Sequence, residues 1–134
     1  MRSTTLILLA AATVVAGVHS AQAHKNPAGV NPTHYQCYQV SQKEPMFKAL
    51  KVELADQFGK SAAAVLKPVM LCAPTIKNKL RPRDRKTHYL CYTDEGPKPP
   101  ERPVEVVNQF GKQILVVEKP TMLCVPSLKI LLKK

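Results

Sequence analysis

Ser61-Ala62-Ala63-Ala64-Val65-Leu66-Lys67 is the stretch whose reading decides the fold. On intrinsic propensity its alanines favour a helix. Later in the chain the equivalent segment is Gln113-Ile114-Leu115-Val116-Val117, which is β-branched and reads as a strand. The two segments sit in the same frame. Gln57-Phe58-Gly59-Lys60 precedes the first and Gln109-Phe110-Gly111-Lys112 the second. Lys67-Pro68-Val69-Met70-Leu71-Cys72-Ala73-Pro74 follows the first, and Lys119-Pro120-Thr121-Met122-Leu123-Cys124-Val125-Pro126 the second. Residues 52–77 align with 104–129 without a gap, and about half of the aligned positions are identical. Segments this alike share a backbone, so residues 61–67 are expected to be a strand.

Working outward, each copy is preceded by a second matching motif, His34-Tyr35-Gln36-Cys37-Tyr38 and His88-Tyr89-Leu90-Cys91-Tyr92. Both read as strands, with Tyr35 and Cys37 on one face and His34, Gln36 and Tyr38 on the other. Lys51-Val52-Glu53-Leu54 alternates as a half-buried strand does, and the glycine after Gln57-Phe58 suits a hairpin turn. The expected fold is all-β, with about three strands in each of two units related by a pseudo-two-fold axis. A unit this small has too little core alone, so the two are expected to pack as one domain, a small sandwich or barrel.

The segments outside the repeats divide the chain. Residues 1–23 carry Arg2, an apolar run from Leu6 to Gly17 and the small-x-small pattern Ala21-Gln22-Ala23, which together read as a cleaved secretory signal. That run is too short to span a membrane, and none follows after cleavage. Residues 24–33 form a flexible lead-in, 34–77 the first repeat, 78–87 a basic connector, 88–129 the second repeat and 130–134 a basic tail. The stretch from Leu128 to Lys134 suits a last strand or a short helix equally. The expected location is secreted or periplasmic.

Four cysteines in an exported chain point to disulfides. Each repeat holds two, so duplication of a self-contained unit favours Cys37–Cys72 and Cys91–Cys124. Two sets with metal-ligand chemistry, His34 with Cys37 and Cys72 and its twin His88 with Cys91 and Cys124, offer three ligands each and lack closely spaced cysteine pairs. No metal centre is favoured there. The alternative is copper(II) on His24, the residue left at the mature N-terminus, whose α-amine and imidazole chelate together and which His34 or His88 could assist.

The chain of 134 residues carries a net charge of +11 with only 9 acidic residues. Six cations, Lys77, Lys79, Arg81, Arg83, Arg85 and Lys86, crowd the connector, and Lys129, Lys133 and Lys134 add to them at the end. Such a segment attracts polyanions by counterion release, and acidic polysaccharide or lipopolysaccharide is the partner it suits. The absence of Trp and of any base-reading motif argues against specific nucleic-acid recognition. Phe58 and Phe110 are expected to plug their own units. No nucleophile elbow, phosphate-cradling loop or paired carboxylate frame is present, so no enzyme activity, catalytic residue or cofactor is expected.

The paired His-Tyr-x-Cys-Tyr, Gln-Phe-Gly and Lys-Pro-x-x-Leu-Cys-x-Pro-x-x-Lys motifs, carried by residues 34–77 and again by 88–129, resemble an uncharacterised domain of exported bacterial proteins. The resemblance implies a cell-envelope or secreted module, often in tandem, and transfers no activity or site residues. The expected role is a non-enzymatic binding module, with a copper-handling protein or a purely structural module as alternatives.

Overall fold

The computed structural model describes residues 27–30 and 33–133. The expected signal segment 1–23 and His24 lie outside the described residues. Seven strands run in chain order: β1 (His34–Gln39), β2 (Leu50–Asp56), β3 (Gly59–Thr75), β4 (Thr87–Glu95), β5 (Pro103–Asn108), β6 (Gly111–Val116) and β7 (Met122–Leu128). No helix among the described residues is long and apolar enough to cross a membrane.

The alanine segment lies inside β3, the longest strand, and tertiary pairing overrides its helical propensity. Its first half pairs antiparallel with β2, from Leu50↔Val65 to Asp56↔Gly59. Its second half pairs with β1, from His34↔Thr75 to Gln39↔Met70. Along its other edge runs β4, through Ala64↔Glu95, Val65↔Asp94 and Cys72↔Tyr89. Ala63 and Val65 are buried in this three-way junction. Pro68, which has no N–H to donate, falls where the β3–β4 register shifts between Val65 and Met70.

The all-β class is therefore present, with the strands in two sheets, and the sequence repeats 34–77 and 88–129 are joined by strand pairing and not face to face. They lie edge to edge, joined by β3 and β4 within one five-stranded sheet of order β1-β3-β4-β7 with β2 also on β3. The physical reason lies in the side chains. Stacked sheets need a row of bulky apolar residues facing inward from each layer. Among the described residues the buried strand residues with apolar side chains are Ala63, Val65, Cys72 and Cys91, all of them small.

A strand count of seven follows from a second difference. The third strand of unit one is continuous through Lys67-Pro68, whereas that of unit two breaks at Lys119-Pro120 into β6 and β7. β3 has neighbours on both sides, but β7 pairs with β4 alone, at the edge of the sheet. The bend frees β6 to pair with β5 as a separate two-stranded hairpin. Beyond Leu128 the described tail has no regular structure, and Ile130, Leu131 and Leu132 are exposed.

Both hairpin turns are built alike. Asp56 Oδ1 accepts the Phe58 N–H at 2.7 Å, and Asn108 Oδ1 accepts the Phe110 N–H at 2.8 Å. Gly59 and Gly111 then take φ of 140° and 112°, which favour glycine. Phe58 is half-buried, as a plug would be. Phe110 is not: it is 70 % exposed, because the hairpin that carries it has left the main sheet.

The cysteines form Cys37–Cys72 and Cys91–Cys124. Each bridge joins directly opposed residues, so Cys37–Cys72 ties edge strand β1 to β3 and Cys91–Cys124 ties edge strand β7 to β4. The two bridges are neighbours, with Cys72 Sγ 3.9 Å from Cys91 Sγ. Beside them Tyr35 and Tyr89 meet edge to face with ring centroids 5.0 Å apart. Burial, then the neighbouring Tyr89 and Asp84, pushes the Tyr35 phenol above its ordinary pKa.

Candidate functional site

The connector between the units is basic, and its backbone is ordered. Asn78 and Lys79 have φ of 48° and 67°, the left-handed pair of a two-residue type I′ turn. The turn is closed by Lys77 and Leu80, whose N–H groups donate to each other's carbonyls at 3.3 and 2.9 Å. Pro82 is buried and anchors the middle of the segment. Asp84 secures its end, with Oδ1 accepting the N–H of Lys86 at 2.8 Å and of Thr87 at 3.0 Å. Hydrogen bonds from the Thr87 side chain and backbone, then from the Lys86 backbone, hold the Asp84 carboxyl down at about 2.

This arrangement separates the six connector cations into two groups. Lys79, Arg81, Arg83, Arg85 and Lys86 are exposed. Among the described residues the ion pairs are Lys98–Glu101 and Lys112–Glu105, so none of the five is spent on a carboxylate. Lys77 is half-buried instead, with its ammonium 4.0 Å from the centre of the Phe110 ring. That cation–π contact, with the Gln109 amide donating to His34 Nε2 at 3.0 Å, ties the tip of the β5–β6 hairpin to unit one. Of the tail cations, Lys129 and Lys133 are exposed, and Lys134 lies outside the described residues.

The two histidine and cysteine sets are committed elsewhere. All four sulfurs are in disulfides, His34 accepts from Gln109, and His88 is buried with Nδ1 2.9 Å from the Lys86 carbonyl.

One residue of note escaped the motif reading. Asp94 is only 7 % exposed and lines a cleft of about 680 Å³ between the proline-rich loop, the β2–β3 turn and the break at Pro120. Its counterpart in the first unit is Val40. Asp94 N–H donates to the Thr121 carbonyl at 3.1 Å, and Val40 N–H to the Val69 carbonyl at 3.0 Å. Aligning the repeats residue by residue exposes this exchange of valine for aspartate, though not that the aspartate is buried.

The chain belongs to the family described as a repeat of unknown function (DUF7450), which matches residues 2–126. No curated protein and no solved structure matches it.

Proposed function

We propose that this member of the repeat family is an exported, non-enzymatic binding module whose connector holds anionic polymers of the envelope or surroundings, acidic polysaccharide or lipopolysaccharide first among them. In this reading residues 1–23 are removed on export, and the rest is two tandem copies of the unit, secreted or periplasmic. Two disulfides suit such an oxidising, non-cytoplasmic compartment.

The observation that carries the reading is the set of five exposed cations, Lys79, Arg81, Arg83, Arg85 and Lys86, on a backbone held by Pro82 and Asp84. A free lysine or arginine run must be ordered when it binds, and that ordering costs affinity. An ordered backbone avoids part of this cost. Because binding releases counterions, affinity is expected to fall steeply with salt. The test is retention on immobilised heparin and lipopolysaccharide across a salt gradient. Elution later than a globular protein of equal size and charge supports the reading, and elution with that control overturns it.

A further inference from the structure

We propose that the cleft over Asp94 is a second binding site, independent of the connector, for a ligand with a single ammonium group on an apolar body. The walls are Leu54 and Phe58 from the β2–β3 hairpin, Pro97 and Pro99 from the loop after β4, and Pro120 and Met122 from the break between β6 and β7. A volume of about 680 Å³ is in the range of small-ligand sites.

The carboxylate is what selects the ligand. Asp94 is more than nine-tenths buried, and its Oδ1 has no hydrogen-bond partner. A buried carboxylate without donor or counter-charge is a costly arrangement. The backbone does not require it, since Val40 makes the same main-chain bond in the other unit. On the loop side of Asp94, residue 96 is glycine, so no side chain of that residue stands between the loop and Oδ1. A β-carbon there would stand 3.8 Å from Oδ1 and only 3.0 Å from Pro120 Cγ.

A neutral donor would satisfy the oxygen and leave the charge uncompensated. An ammonium group satisfies the oxygen and compensates the charge. Among the described residues no lysine takes that place. Lys98 pairs with Glu101 at 2.8 Å, and Lys60 and Lys119 are exposed at the cleft's edge. Asp56 and Glu118 also line the cleft but are exposed, so a second ammonium group would find no buried carboxylate, and the site suits a monoamine and disfavours a polyamine.

Titration of the full mature chain with hexylamine, hexanol and spermine, followed by amide chemical shifts and thermal midpoint, tests this. Millimolar hexylamine is expected to shift the Asp94, Gly96 and Thr121 amides and raise the midpoint, with hexanol and spermine at least tenfold weaker. Asp94→Val, which installs the residue of the first unit, is expected to keep or raise the unliganded midpoint and weaken hexylamine at least tenfold. Asp94→Asn, which keeps the shape, is expected to lose the amine as well, so the test survives if the valine variant does not fold. Heparin retention is expected to be unchanged in both. Hexylamine binding that is absent in the wild type, equal in Asp94→Asn, or matched by hexanol or spermine would overturn the proposal.

Discussion

Removing each disulfide as a pair, Cys37→Ala with Cys72→Ala and Cys91→Ala with Cys124→Ala, probes how the sheet keeps its edges. The bridges span 35 and 33 residues. In the chain-entropy treatment these loops constrain the unfolded state by about 3.8 and 3.7 kcal/mol. A domain of this size has about 5–15 kcal/mol in total, so either loss removes a large share. The corresponding fall in thermal midpoint is about 15–30 °C. The two costs are expected to agree closely, because each bridge ties an edge strand to a central one and includes one buried sulfur, Cys72 or Cys91. Urea unfolding gives the free energies, and hydrogen exchange gives the location: β1 frays in the first variant and β7 in the second. A loss below about 1 kcal/mol for either pair, or fraying of the wrong edge, would refute the reasoning.

Further outcomes follow from the same contacts. Cys37→Ala alone leaves the Cys72 thiol 3.9 Å from Cys91 Sγ. Its thiolate is expected to displace Cys124, giving a Cys72–Cys91 bridge and a free Cys124 thiol by peptide mapping; an intact Cys91–Cys124 bridge after oxidative refolding at pH 8.5 would count against it. Gly59→Ala and Gly111→Ala each force a β-carbon into a left-handed turn at about 1–2 kcal/mol. The first should lower global stability. The second should open only the β5–β6 hairpin in hydrogen exchange, because that hairpin pairs with no strand of the main sheet. The Asp84 carboxyl is depressed from 3.8 to about 2, so its stabilisation is complete above pH 3.8 and lost as pH falls through about 2. The midpoint difference between wild type and Asp84→Asn should therefore be constant above pH 4 and shrink toward pH 2, whereas a difference that grows on acidification would contradict the cap.

Much of the strand content was legible because the chain carries its own comparison. Ala62, Ala63 and Ala64 alone are helix formers, and only Ile114, Leu115 and Val116 in the equivalent places show that the backbone is extended. The disulfide pairs were legible for the same reason. How the units join was not, since alternation assigns faces and says nothing about which edges meet. The divergence of β6 from β3 was also hidden. Lys-Pro occurs in both copies, and what holds Pro68 extended but lets the chain break at Pro120 is neighbouring strands on both sides of β3. The connector's charge was plain in the sequence, but its order depends on Pro82 burial and the Asp84 bonds. Lys77 leaves the exposed set because its ammonium meets the Phe110 ring, and Phe110 is at the surface because its hairpin has left the main sheet. Asp94 was visible as a difference from Val40, and its burial arises only when the proline-rich loop and the Pro120 break close over β4.

The central claim is that anionic polymers are held by the connector and not by net charge spread over the surface. It is tested most directly by heparin affinity at a fixed moderate salt concentration in two charge-matched variants. One reverses Lys79, Arg81, Arg83, Arg85 and Lys86 to glutamate, and the other reverses five exposed lysines elsewhere, Lys43, Lys48, Lys51, Lys60 and Lys112. The account predicts that the connector variant loses at least a hundredfold in affinity and most of the salt dependence, while the second loses less than tenfold. Equal losses in the two variants would contradict it.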